Sequence, residues 1–311
     1  MIFEKKADYL IILFYNYTYI EDAPTFCQLH SEYCKKLCLL GRVIISHEGI
    51  NGTLSGLANN IHTYIKNLQQ DSRFYETDFK IEKSYKHLFP KLSVKYKKEI
   101  VSLKLEQDVF PNSRRMNYLT PKEFYVLSQH KEVLILDVRN NYEYQLGHFQ
   151  NAINPNIRNF RDLPKWTDEN ISLLRERKVL IYCTGGVRCE KFSVFLQNKG
   201  IHEVYQLKGG IINYGQDPEI QGKLFEGQMY VFDERISVKV NRYEHNIVGK
   251  DFFDQSPCER YVNCANPDCN EQILCSERNE YKYLGSCCKE CREHPQNRFV
   301  SKQNMYIETK F

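Results

Sequence analysis

This chain has no apolar run long enough to cross a membrane. The longest near its start, Tyr9–Tyr15, falls far short of the ~20 residues a spanning helix needs. It also lacks the apolar core of a signal peptide, because charges interrupt the opening stretch MIFEKKADYL. Both absences lead us to expect a cytoplasmic protein with no membrane contact. No internal repeat or low-complexity tract stands out. No flavin, haem, non-haem-iron or nucleotide-binding signature is visible, so the motifs offer no resident redox cofactor. Nor is there a large charge of one sign, the net charge being +4 over 311 residues. What remains is an ordinary globular mixture, 42% hydrophobic and 26% charged, long enough for two or three domains.

The modest total charge hides a local surplus. Between Lys80 and Arg115, ten lysines and arginines stand against four acids. Such a stripe can meet a phosphate backbone or serve as a solvated face. Cysteine, by contrast, is abundant. In a cytosolic chain, twelve cysteines point to catalysis or metal binding before disulfides. Three lie at 27, 34 and 38, two at 183 and 189, and seven between 258 and 291.

Residues 1–93 read as an α+β domain in the order strand, helix, strand, strand, helix, strand, which is ferredoxin-like. Tyr9–Tyr15 is a β-rich run. Ala23–Leu40 has helical spacing and stops near Gly41, Arg42–Ser46 is a strand, Gly49–Thr53 a turn, and Ile61–Leu68 a second helix. Cys27, Cys34 and Cys38 are expected on the first helix as buried small residues. Residues 94–117 form a basic connector with its own strand, Ile100–Leu105. Residues 118–220 begin a new domain at Thr120, a helix N-cap with Pro121 and Glu123 behind it. Strands at Val133–Val138, Val179–Cys183 and Val204–Leu207 alternate there with helices, one from Cys189 to Lys199 ending at Gly200. That alternation predicts a parallel sheet covered on both faces. Beyond about residue 221 the patterning fades into a cysteine-rich region, 221–311.

One loop carries chemistry. A strand ends at Cys183, and Thr184, Gly185, Gly186, Val187 and Arg188 lead into a helix. Backbone N–H groups of such a loop and of the helix start converge on one spot and favour an anion. A sulfur there is expected as thiolate, acting as nucleophile or carrying a persulfide, with Arg188 adding positive charge. Cys189 could resolve a disulfide with Cys183 or simply pack inside the helix.

The tail holds two close cysteine pairs, Cys264/Cys269 and Cys288/Cys291. Together they could supply four thiolates to one tetrahedral zinc, with Cys258, Cys275 and Cys287 left over as substitutes. The metal would stabilise a region too short to build a core of its own.

Three blocks within the central domain resemble those of rhodanese domains: Leu136–Arg139 with Tyr142–Tyr144 and Gly147–Phe149, then Val179–Arg188, then Leu207–Ile211. The four residues between Cys183 and Arg188 match sulfur-handling members, whereas phosphatase relatives have five. The resemblance implies that Asp137 and Arg139 orient the loop and that His148 is structural. Taken with RVIISHEGINGTLSG at 42–56 and RYVNCANPDC at 260–269, the chain resembles the bacterial tRNA uridine hydroxylases along nearly its whole length. That likeness implies an acylphosphatase-like N-terminal domain. It also implies oxygen-dependent formation of 5-hydroxyuridine at the tRNA wobble position, molecular oxygen as co-substrate and Cys183 as the essential residue. The tRNA partner would be held at its anticodon arm by the N-terminal domain and basic connector, with Tyr85, Phe89 and Tyr96 available for base stacking. The same loop supports a persulfide sulfurtransferase acting on tRNA or a carrier protein. Relatives often carry a further C-x2-C pair shortly before the position of Cys258, where this chain has none.

Overall fold

The computed structural model describes residues 8–107, 109–111 and 116–302. Asp108, Asn112, Arg114 and Arg115 of the basic connector lie outside the described residues, as do 1–7 and 303–311. No helix among the described residues is long and apolar enough to cross a membrane.

The N-terminal unit runs β1 (Tyr9–Tyr17), α1 (Ala23–Lys36), β2 (Leu40–Ser46), β3 (Gly49–Leu57), α2 (Ala58–Gln70), β4 (Phe79–Ser84) and β5 (Leu92–Tyr96). Its sheet has the order β4-β1-β3-β2-β5, antiparallel except for the β2/β5 edge. Alternation along β1 sorts its side chains by face. Ile12 and Phe14 enter the core with Cys27, Cys34, Ile61 and Tyr64 of the two helices. Leu13, Tyr15 and Tyr17 point the other way.

Three local expectations are corrected here. Gly49–Thr53 is the first half of β3, not a turn, because β1 and β2 both pair with β3 along its length and tertiary pairing overrides turn composition. Cys38 lies beyond α1, exposed and at φ 51°, while Cys27 and Cys34 are buried. No strand forms at Ile100–Leu105. Carboxylates take the amides that a ladder would need: Glu48 accepts from Ile100 N–H at 2.6 Å and Glu99 from Leu103 N–H at 2.9 Å. The added strand is β5 instead, reaching past residue 93.

The central unit comprises β6 (Tyr118–Leu119), α3 (Pro121–Leu127), β7 (Val133–Asp137), α4 (Asn141–Leu146), β8 (Gly147–Phe149), α5 (Leu163–Glu169), α6 (Ile171–Arg175), β9 (Lys178–Tyr182), α7 (Val187–Asn198), β10 (Val204–Leu207) and α8 (Gly210–Gln216). Thr120 and Glu123 form a capping box at the start of α3. The sheet β6-β10-β9-β7 is wholly parallel. One face packs on Leu163, Leu174, Phe192 and Leu196, the other on Phe124, Ile211 and Tyr214.

The C-terminal part has β11 (Phe225–Tyr230), β12 (Ser237–Lys239), β13 (Tyr261–Asn263), β14 (Gln272–Leu274), α9 (Glu277–Lys282) and α10 (Lys289–Arg292). It is not separate from the central unit, since β11 pairs with β8 in antiparallel register.

Candidate active site

Cys183 follows the last residue of β9 and is 1% exposed. Gly186 N–H donates to its Sγ at 3.1 Å. Burial, the largest single influence, pushes the thiol up, but several opposing influences together outweigh it. The S–H of Cys189, the charge of Arg188 and the amides of Cys189 and Gly186 together bring the Cys183 pKa down to about 5. Cys189 shows the reverse: burial first, then donation to Cys183, push its own thiol well up. Cys189 is buried in the core beside the loop and acts there as a hydrogen-bond donor to Cys183.

Two glycines make the loop possible. Gly186 sits at φ +107°, and a Cβ there would lie 2.7 Å from Tyr15 Oη. Gly210 sits at φ +67°, and a Cβ there would lie 2.5 Å from the Cys183 carbonyl oxygen. That close approach lets the amides of Ile211 and Ile212 donate to the carbonyls of Cys183 and Thr184 at 3.0 and 3.1 Å. The loop's carbonyls are thereby tied down on the α8 side.

Arg188 does not stand free. Glu143 of α4 accepts two bonds from its guanidinium, at 2.6 and 2.7 Å, and Thr184 Oγ1 accepts a third at 3.2 Å. Burial raises the Glu143 carboxyl, but the charge and donors of Arg188 outweigh it and hold it ionised. Asp137 and Arg139 lie one layer below. Arg139 is fully buried, binds Asp137 at 2.6–3.1 Å and donates to Gly147 O at 2.6 Å, which ties the end of β7 to β8. Their link to the loop passes through Tyr182, whose ring lies 5.5 Å from the Arg139 guanidinium. His148 stacks on Tyr144 at 3.8 Å and engages its carbonyl, apart from the sulfur.

The N-terminal domain closes over this loop. Tyr17 Oη donates to Val187 O at 3.1 Å, and Leu13 and Tyr15 lie against Gly185 and Gly186. Glu190 accepts from Tyr15, Tyr118 and Gln206; burial pushes its carboxyl up while those donors pull it down. Lys191, fully buried, donates to Glu48 and Glu99, each at 2.8 Å. Sequence reasoning did not assign Glu143, Glu190, Lys191, Glu48 or Glu99 to the site. The available signal was positional: Glu48 lies in SHEGING, Glu143 in the first rhodanese block, and Glu190 and Lys191 directly behind the loop.

In the tail, Cys264, Cys269 and Cys291 come together as expected, but their fourth partner is Cys287, not Cys288. The four Sγ atoms lie within 4.8 Å of one another. The backbone at Cys288 is extended (φ −145°, ψ 176°), so adjacent side chains point to opposite sides, with Cys287 inward and Cys288 exposed. Separations of 3.7 Å for Cys269–Cys287 and 3.8 Å for Cys287–Cys291 match the ~3.8 Å edge of a tetrahedron built on Zn–S bonds of ~2.3 Å. The donor set therefore suits a metal ion. Cys258 and Cys275 lie outside it, buried in separate apolar clusters.

A parallel sheet ending in a Cys–Gly–Gly–Arg loop defines a rhodanese-type domain, here joined to an acylphosphatase-like domain and a cysteine-cluster tail. Family models agree: UPF0176 acylphosphatase like domain over residues 9–100, Rhodanese-like domain over 120–217 and Rhodanase C-terminal over 226–292. A tRNA uridine(34) hydroxylase of Aster yellows witches'-broom phytoplasma is 58% identical over 96% of this chain and 97% of its own. Proteins of the same name from Oceanobacillus iheyensis and Staphylococcus carnosus are 52% and 50% identical, over 97% of this chain and 94% and 96% of theirs. The chain belongs to the tRNA uridine(34) hydroxylase family.

Proposed function

We propose that this enzyme hydroxylates carbon 5 of the wobble uridine in tRNA, with molecular oxygen as co-substrate and Cys183 as its essential nucleophile, in the cytoplasm. The observation that carries the reading is the Cys183 sulfur, held as thiolate by Cys189, Arg188 and the loop amides in a chain whose relatives bear that activity in their names. A thiolate adding to carbon 6 of a uracil ring breaks the π bond between carbons 5 and 6 and places the electron pair on the carbon 5 enolate, where oxygen can add. Loss of the carbon 5 proton and of the thiolate restores the double bond, and a two-electron donor reduces the second oxygen atom to water. Arg188 and the loop Thr184–Val187 balance the anionic sulfur, and Glu143 fixes the arginine. Asp137 and Arg139 hold the strand end beneath the loop. Zinc in the Cys264/Cys269/Cys287/Cys291 cluster would fasten the tail, with no part in the chemistry. The anticodon arm meets the N-terminal domain and its basic edge.

One observation favours a second reading, persulfide sulfur transfer: the Gly186 amide at 3.1 Å from Sγ, in a four-residue loop, suits a terminal sulfur equally well. Nucleoside mass spectrometry of tRNA from cells lacking the gene separates the two. Loss of 5-hydroxyuridine, restored by wild type and not by Cys183→Ala, supports hydroxylation. Unchanged 5-hydroxyuridine with loss of a thiolated nucleoside, in a strain with no second pathway to 5-hydroxyuridine, replaces it with sulfur transfer.

A further inference from the structure

Outside the thiolate site, three aromatic rings form a continuous group on the N-terminal domain. Tyr19 is 66% exposed and Tyr96 43% exposed, and the exposed His47 lies between them. Ring centroids are 6.5 Å apart for Tyr19–His47, at 27° between planes, and 5.8 Å apart for His47–Tyr96, at 84°. His47 Nδ1 sits 2.8 Å from Ile20 O, which fixes its ring between the tyrosines. Lys95, Lys97 and Lys98, all exposed, flank Tyr96 on the edge strand β5 and just beyond it. Of the acids close in sequence, Glu48 and Glu99 turn inward to Lys191, while Asp22 caps α1 through Thr25 and also faces His47, and Glu21 is exposed beside Tyr19. Of the three residues expected to be available for stacking, Phe89 is buried while Tyr85 and Tyr96 are exposed, and Tyr96 has His47 and, beyond it, Tyr19 as ring neighbours.

We propose that Tyr19, His47 and Tyr96, rimmed by Lys95, Lys97 and Lys98, are a docking platform for unpaired nucleotides of RNA. Rings offered to water with cations alongside are the pattern of single-strand recognition, in which bases stack and ammonium groups follow the phosphates. A protein partner fits less well, because lysine is depleted at the centres of protein interfaces. The platform rests on the tRNA reading above and places the unpaired loop of the anticodon arm here. It is also joined to the loop chemistry. His47 precedes Glu48 and Lys98 precedes Glu99, and both glutamates hold Lys191 on α7, the helix that opens at the thiolate loop. Bound RNA therefore rests on the two segments that clamp α7.

The test is equilibrium binding of a synthetic anticodon stem–loop by the full chain, read by fluorescence anisotropy over a range of salt. Tyr19→Ala and Tyr96→Ala should each weaken binding about 5- to 150-fold, and Tyr96→Phe should stay within about twofold of wild type. Neutralising Lys95, Lys97 and Lys98 together should lower the slope of log affinity against log salt by about 2. A fully paired RNA duplex should lose nothing when the rings are removed. Unchanged stem–loop affinity in the alanine variants, or equal losses for duplex and stem–loop, overturns the platform. Thiolate absorbance of Cys183 shows that each variant keeps its fold. Because the readout is binding, a chain that passes here but leaves 5-hydroxyuridine unmade condemns the activity and not the surface.

Discussion

Lys191 of the helix behind the reactive loop donates at 2.8 Å to Glu48, a residue 143 positions earlier in the β2–β3 turn of the N-terminal domain. The same ammonium reaches Glu99 at 2.8 Å, and all three side chains are buried. Two of the sequence blocks that carry the family resemblance, SHEGING and CTGGVRCEK, therefore meet in one ion cluster.

That cluster should act as a latch between domains. Lys191→Met leaves two buried carboxylates facing each other and should destabilise the protein by about 3–5 kcal/mol in urea denaturation. Adding Glu48→Gln and Glu99→Gln should recover a large part of the loss. A lone Lys191→Met with wild-type stability would show that the cluster holds nothing.

Cys183 should titrate far from an ordinary thiol. The difference in thiolate absorbance between wild type and Cys183→Ser should show a midpoint near pH 5, with thiolate above it and thiol below. Cys189→Ala should raise that midpoint by about one to two pH units, since a hydrogen bond to a charged group is worth ~1.5–3 kcal/mol and one unit ~1.4 kcal/mol. The folded value lies below the ordinary value of 9.0. Ionisation of Cys183 therefore stabilises the fold fully above pH ~9, and the contribution is lost as pH falls through about 5. A midpoint near the ordinary value would remove the thiolate from the site.

The tail offers a sharp pair of variants. Protein purified with zinc should carry one ion per chain by elemental analysis. Cys287→Ser should lose it, and the exposed neighbour Cys288→Ser should keep it. Chelation of wild type should loosen the tail as seen by hydrogen exchange. Loss of zinc from Cys288→Ser with retention in Cys287→Ser would reverse the ligand assignment.

Features written in local chemistry were legible from the residues alone. Thr120, Pro121 and Glu123 announce the cap of α3, and Val179–Tyr182 followed by Cys183 and two glycines announces a strand, a loop and a helix. Features that depend on a distant partner were not. Val101, Leu103 and Leu105 alternate as a strand should, yet Glu48 and Glu99 take the backbone amides of that segment and its apolar side chains pack on the central core. Cys287 and Cys288 are chemically identical in sequence, and only the backbone entering α10 decides which turns inward. Glu143 had no role assigned from the sequence, because its partner Arg188 lies 45 residues further on.

The seal formed over Cys183 by Leu13, Tyr15 and Tyr17 has a kinetic meaning. A sulfur ionised at cellular pH is an easy target for peroxide, and insulation by the neighbouring domain keeps it from being consumed between turnovers. Under the proposed mechanism the same insulation stands between the sulfur and a nucleobase, so turnover would require a breathing motion that uncovers Cys183. A thiol reagent then becomes a clock. As its concentration rises, the labelling rate of Cys183 levels off at the frequency of that motion, which is a ceiling the turnover number cannot exceed.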